Sequence, residues 1–204
     1  MMKRVLALIL VCALSLGLLC SCGKDTQTAP EEPTQVTHQR VRFTMESGET
    51  FTIELYPEYA PETVDNFVKL VDDGFYNGLT FHRVMKGFMA QGGDPEGTGS
   101  GGSDTTIHGE FSANGFTQNT LSHTRGVVSM ARNGVDMNSA SSQFFICYDD
   151  ATFLDGDYAA FGMVIDGMET VDNFLKYKIV ANAYGEMSKP VVPIVIDKAE
   201  VVSE

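Results

Sequence analysis

The sequence predicts a mainly β domain, a barrel closed on itself with its ends plugged by two α-helices. Three observations carry that expectation: apolar residues alternate in short runs, turn formers separate the runs, and only two stretches repeat at helical spacing. The 204 residues include 20 Gly and 13 Phe, which favours turns and aromatic packing over long helices. With 43% hydrophobic and 20% charged residues, one domain with modest appendages is expected.

Alternation begins at Val41, Phe43 and Met45, passes a turn at Glu46-Ser47-Gly48 and resumes at Phe51, Ile53 and Leu55, the pattern of a hairpin. Pro61 marks a helix start; Val64, Phe67, Val68 and Val71 recur at helical spacing, and Gly74 ends the run. Strand-length apolar segments follow at 80–85, 126–131, 143–147 and 159–164, separated by loops of Gly, Asn, Asp and Ser. Met168, Val171, Phe174 and Leu175 give the second helical pattern. A β-branched stretch from Val191 to Val202, interrupted by Pro193, closes the chain, and no internal repeat is present.

Lys3 and Arg4 precede an apolar run over 5–19, too short for a transmembrane helix and of the form of a secretory signal. Leu19-Cys20-Ser21-Cys22 follows and resembles the bacterial lipobox, although Cys20 is unusual at its middle position. Ser21 is small, so Cys22 is the lipidation residue that this resemblance implies. The expected organisation is a signal peptide over 1–21, a lipidated Cys22 with a flexible spacer over 22–38, and a folded domain over 39–204. The spacer is mostly Thr, Gln, Glu and Pro with one Ala and one Val and cannot build a core. An exported lipoprotein on the extracytoplasmic face of a bacterial membrane is the expectation. Cys12 and Cys20 leave with the leader, so Cys147 is the one thiol of the folded part and no intramolecular disulfide can form. In its apolar run, Cys147 reads as a small buried hydrophobe.

A net charge of −13 without a basic patch repels phosphate backbones, which excludes nucleic acid as a partner. The glycine-rich stretch over 92–102 lacks the Gly-Lys-Ser/Thr ending of a phosphate loop and is expected to be structural. His38, His82, His108 and His123 show no metal-ligand spacing, so neither a metal nor a cofactor is expected. Ser129 and Ser141 lie outside a Gly-x-Ser-x-Gly elbow, which leaves an acyl-transfer triad without local support.

The run Phe81-His82-Arg83-Val84-Met85-Lys86-Gly87-Phe88-Met89-Ala90-Gln91-Gly92-Gly93-Asp94 closely resembles the signature of the cyclophilin family. Gly126-Val127-Val128-Ser129-Met130-Ala131 with Ser142-Gln143-Phe144-Phe145-Ile146, and then Phe153-Leu154-Asp155-Gly156 with Phe161-Gly162, resemble further family segments in the same order. The resemblance spans about 41–202, and the chain is identified as a cyclophilin-type peptidyl-prolyl cis/trans isomerase in a bacterial lipoprotein form. It implies a closed antiparallel eight-stranded barrel capped by two helices, and rotation about Xaa-Pro bonds of exported polypeptides with no covalent step.

By the same resemblance Arg83 is the catalytic donor, and Phe88, Met89, Phe145 and Leu154 line the pocket for the proline ring. Gln91 hydrogen-bonds the substrate backbone, Ala131 flanks the groove, and Phe153 and Tyr158 complete it. Arginine suits the donor role because its charge is permanent and its planar fork fixes direction. Phe144, one position from Phe145, faces the other way and is expected in the core. Phe153 stands where many eukaryotic members have Trp, and Tyr158 where they have His. Loss of the indole N–H implies weak cyclosporin binding. Arg132 replaces a common Asn at a position that acts in the family mainly through its backbone. A monomer is expected. The alternatives are a non-catalytic proline-peptide binding chaperone or scaffold, and a structural surface lipoprotein.

Overall fold

The first hairpin forms as the alternation requires. β1 (Arg40–Met45) and β2 (Thr50–Leu55) pair antiparallel, with Val41 opposite Ile53 and Phe43 opposite Phe51, all four fully buried. These elements belong to a computed structural model that describes residues 37–203. The expected leader, Cys22 and the spacer up to 36 lie outside the described residues.

Helix α1 (Pro61–Asp72) starts on Pro61 and buries Val64, Phe67 and Val71 of the expected stripe; Leu70 joins them, while Val68 is only partly buried against the core. Its first N–H groups meet a distant partner. The carboxylate of Glu110, only 2% exposed, accepts from the backbone N–H of Glu62 at 3.0 Å and of Thr63 at 2.8 Å.

The remaining elements are β3 (Thr80–Met85), β4 (Met89–Asp94), β5 (Val127–Met130), β6 (Phe144–Cys147), β7 (Ala160–Asp166), α2 (Met168–Asn173), β8 (Ile179–Ala181), β9 (Met187–Pro190) and β10 (Ile196–Val202). Eight strands form one antiparallel sheet in the order β10-β1-β2-β7-β5-β6-β4-β3, while β8 and β9 make a separate hairpin. The concave side encloses an aromatic core: the Phe67 ring lies 4.9 Å from Phe161, 5.2 Å from Tyr76 and 5.5 Å from Phe144. α1 packs against β10 and α2 against β2.

The sheet is curled, and the continuous closure that the sequence predicted is not what the ladder shows. Its edge strands meet at one end only, through the Thr80–Val195 bridge and the bonds from Phe81 N to Ile194 O (2.9 Å) and Ile196 N to Leu79 O (2.8 Å). Beyond Phe81 the edge of β3 is flanked by β9 instead. Pro193 has no N–H to give; residues 191–193 stay outside the sheet, Ile194 and Val195 make isolated contacts with β3, and β10 begins at Ile196. The hairpin β8–β9 and strand β4 are additions to the predicted elements.

Candidate active site

The face on which each side chain of β3 stands is decided by a pair of bulges. Thr80 pairs with Asp94 and Phe81 with Gly92, which leaves Gly93 extra; Arg83 then pairs with Gln91, which leaves His82 extra. In a regular strand Phe81 and Arg83, two apart, would share a face. The bulge at His82 separates them, so Phe81 enters the aromatic core at 1% exposure and Arg83 stands on the convex side. Gly93 is required, since a Cβ there would sit 2.4 Å from Ser142 O with φ at +83, and Gly92 is tightly packed, its Cβ position 3.1 Å from the Phe81 ring.

Across the sheet Arg83 is opposite Gln91, Gln91 opposite Phe145 and Phe145 opposite Ser129, one row over β3, β4, β6 and β5. Phe144, its neighbour in sequence, turns into the core as expected. Phe145 joins a second apolar cluster with Met89, Cys147, Ala151 and Leu154, against which Met85, Phe88, Ala131 and Tyr158 pack. A cavity of about 210 Å³ opens there, with Arg83 and Gln91 on one side, Phe88, Met89, Phe145 and Leu154 as its apolar walls, and Ala131, Arg132 and Tyr158 opposite. That is below the roughly 300–1,000 Å³ of pockets for drug-sized molecules and suits one small ring.

Thus seven of the eight expected binding positions line one cavity with Arg83. Phe153 does not: it is 70% exposed, its ring 5.7 Å from Phe88 on the outer rim. Arg132 also departs from expectation, because its side chain is engaged. The guanidinium stacks 4.7 Å from the Tyr158 ring and 5.2 Å from Phe111, and its Nε donates to Asp157 O at 3.0 Å. Tyr158 in turn meets Phe145 edge-on at 6.0 Å.

Arg83 is held at both ends. Nε and Nη2 donate to the two carboxylate oxygens of Glu186 at 2.6 and 2.7 Å, and Nη1 donates to Gln91 Oε1 at 3.1 Å. The Arg83 hydrogen bonds bring the Glu186 carboxyl down to about 2. Gln91 Nε2 donates to Gln143 Oε1 at 2.8 Å, and Gln143 Nε2 to Gly101 O at 2.7 Å, so one amide chain ties the arginine to the glycine-rich loop. That loop wraps a protein carboxylate and is structural, as expected. Asp94, 1% exposed, accepts from the N–H of Glu96, Thr98 and Gly99 at 2.8, 2.9 and 2.6 Å. Burial alone would raise the Asp94 carboxyl; these N–H groups outweigh it and hold it low.

Behind Phe145 lies an array that no local motif announced. His123 Nδ1 is 2.8 Å from Asp155 Oδ1, and its Nε2 is 3.0 Å from Ser129 Oγ. The carboxylate can only accept, so Nδ1 carries the proton and Nε2 accepts from the serine hydroxyl. This is the order of an acyl-transfer triad, yet Ser129 and His123 are both fully buried and no substrate reaches the hydroxyl. The His123 ring instead lies parallel to Phe145 at 6.0 Å, a platform under the cavity wall. Cys147 is fully buried and burial pushes its thiol up to about 12, so it is inert.

A larger cavity of about 440 Å³ lies on the other side of Arg83, between the glycine-rich loop and the β8–β9 turn. Its walls mix the charged and polar groups of Glu96, Thr98, Glu186 and Lys189 with Ala183 and Tyr184, in place of the apolar wall that Phe88, Met89, Phe145 and Leu154 give the smaller cavity.

Residues 40–201 match the family model of the cyclophilin type peptidyl-prolyl cis-trans isomerase/CLD. Over 131 residues the chain is 47% identical to peptidyl-prolyl cis-trans isomerase B of Bacillus subtilis (strain 168), which covers 64% of this chain and 87% of that protein. Over 132 residues it is 47% identical to peptidyl-prolyl cis-trans isomerase-like 3 of Gallus gallus, with 65% and 80% covered. A crystal structure of a cyclophilin type peptidyl-prolyl cis-trans isomerase from Cryptosporidium parvum matches with a TM-score of 0.70 at 33% identity, over 82% of this chain and 99% of that one. A second crystal structure of that protein, in the presence of the dipeptide Ala-Pro, matches with a TM-score of 0.69. With the family model reaching every strand of the sheet, the chain belongs to the cyclophilin-type peptidyl-prolyl cis-trans isomerases.

Proposed function

We propose that Arg83 is the catalytic donor of this isomerase, and that the enzyme turns Xaa-Pro bonds in exported proteins and so assists their folding. Resonance gives the peptide C–N bond double-bond character and a barrier of about 18–20 kcal/mol, which a catalyst lowers by weakening that resonance. A guanidinium N–H donated to the prolyl nitrogen draws its lone pair out of conjugation. Phe88, Met89, Phe145 and Leu154 take the proline ring and exclude water, which strengthens the donated bond. Gln91 holds the substrate backbone, Ala131 flanks the groove, and Tyr158, braced by Arg132, forms its far wall.

The observation that carries this reading is a permanent cation at the wall of an apolar cavity sized for one ring, aligned with Gln91 and Phe145 by strand register. The test is cis-to-trans conversion of an Xaa-Pro peptide by the full chain beside Arg83→Ala. A rate gain lost in the variant is the expected result. An equally active variant would remove Arg83 from the chemistry.

The same proposal places the enzyme on the extracytoplasmic face of a bacterial membrane, tethered as a monomer by a lipid on Cys22. The leader anatomy and the Ser21-Cys22 junction support it. A multiply acylated cysteine supplies the two or more chains that stable attachment needs. Radiolabelled palmitate is expected in the membrane fraction on the wild-type chain and absent from Cys22→Ser. Equal labelling of both would overturn the anchor.

A further inference from the structure

The turn between β8 and β9 delivers an acidic side chain to Arg83 from 103 positions along the chain. Residues 182–186 form this turn. Asn182 N donates to Glu186 O at 2.8 Å, and Gly185, at φ +81, donates its N–H to Asn182 O at 3.0 Å. The Asn182 side chain braces it further: Oδ1 accepts from Tyr184 N at 2.9 Å and from Glu186 N at 3.0 Å. The backbone of Glu186 is therefore fixed before its carboxylate reaches β3.

The carboxylate takes the Nε/Nη2 edge of the guanidinium in a two-bond fork at 2.6 and 2.7 Å, the short range of charge-assisted pairs. Nη1 is left at the other end, 3.1 Å from Gln91 Oε1 and 3.8 Å from Sδ of Met89, which is a wall of the apolar cavity. A planar group held at two opposite edges has no freedom to rotate its remaining N–H bonds. Without Glu186, the Gln91 bond is the one strong restraint left among those found in the structure, and the plane can swing about it.

Two effects of Glu186 oppose each other. Its negative charge offsets the cation that polarises the substrate, and its fork fixes the direction of donation. The side chains of the pair are 28% and 32% exposed, so water and salt screen the charge effect. Screening leaves the geometric restraint untouched, and arginine keeps its proton in either case. Direction therefore outweighs neutralisation.

We propose that Glu186 is a positioning residue for the isomerisation, holding the plane of Arg83 so that its Nη1 end faces the prolyl nitrogen. This rests on Arg83 being the donor, so the experiment separates the two. Steady-state isomerisation is measured on the full chain and on Arg83→Ala, Glu186→Ala, Glu186→Gln, Arg83→Lys and the Arg83→Lys/Glu186→Ala pair. Glu186→Ala is expected to lower kcat about tenfold with KM within about twofold, since misplacement of a reacting group costs rate more than binding. Glu186→Gln keeps one acceptor at the same reach and is expected to fall between. In the Arg83→Lys background, where no fork exists, removing Glu186 is expected to change nothing further. An inactive Arg83→Ala beside a Glu186→Ala of unchanged or raised kcat would overturn the positioning role alone. So would a tenfold loss that persists in the Lys background, which would mark the turn as merely structural. An active Arg83→Ala would overturn the donor and its positioning together.

Discussion

Replacing Arg83 by Ala removes one preorganised donor from the cavity and leaves its walls standing. Met89, Phe145 and Leu154, at 1%, 5% and 8% exposure, owe their burial to one another and to His123 behind them. Binding of the proline ring is therefore expected to survive, and KM to stay within about threefold. Loss of one preorganised donor costs about 2.7–4 kcal/mol of transition-state stabilisation, so kcat is expected to fall by about 10²–10³. Stability should hardly move. The Arg83–Glu186 pair is about a third exposed, and such pairs contribute about 0–1 kcal/mol, a shift of up to about 4 °C in Tm for a domain of this size. Arg83→Lys keeps the charge without the fork and is expected to lose most of the rate as well. The assay is exchange spectroscopy on an Xaa-Pro tetrapeptide over a range of concentrations, with thermal denaturation alongside. A folded Arg83→Ala that keeps a third of its kcat would refute the reasoning, as would a loss lying wholly in KM.

Glu110→Ala strips the N-terminus of α1 of its acceptor and is expected to cost about 1–3 kcal/mol with kcat unchanged; an unshifted Tm would show the Glu62 and Thr63 N–H groups satisfied elsewhere. Burial pushes both His82 and His123 below the ordinary imidazole range, so on acidification the unfolded chain binds protons first. Stability is then full above the ordinary imidazole pKa and is lost as pH falls through it, by up to about 1.4 kcal/mol per pH unit for each group. Urea midpoints at about pH 7.5 and about pH 5.5 check this, and equal midpoints would contradict it. Phe153→Trp, on the exposed rim, adds an indole N–H and is expected to tighten cyclosporin binding by up to about tenfold, read from the introduced tryptophan; an unchanged Kd would contradict the expectation that the missing indole N–H weakens binding.

Much of the fold was legible because one face of each element is buried and the other is not. Alternation placed β1 and β2, and helical spacing placed α1 with its start at Pro61. The same signal set Phe144 and Phe145 on opposite faces. It failed at β4, where Gly92 and Gly93 carry no side chain to alternate and pack closely against Phe81 and Ser142. It failed again at β8 and β9, three and four residues long and partly exposed, too short for a period to register. The Asn182–Gly185 turn signal between them was the one available clue to Glu186.

By itself the sequence determined the family, the strand-forming segments other than β4, β8 and β9, and the residue types around the cavity, because each of these is written in local patterns and motif order. Tertiary structure decided what depends on pairs far apart in the chain. The bulge at His82 sends Arg83 to the convex face, the edges of the sheet are joined at one end only, and Phe153 lies outside the cavity that its neighbours line. Glu110 reaches α1 across 47 residues and Glu186 reaches Arg83 across 103. The physical reason is common to all of them: register and long-range hydrogen bonds are set by how the sheet closes on its core, and no short window of sequence holds both partners.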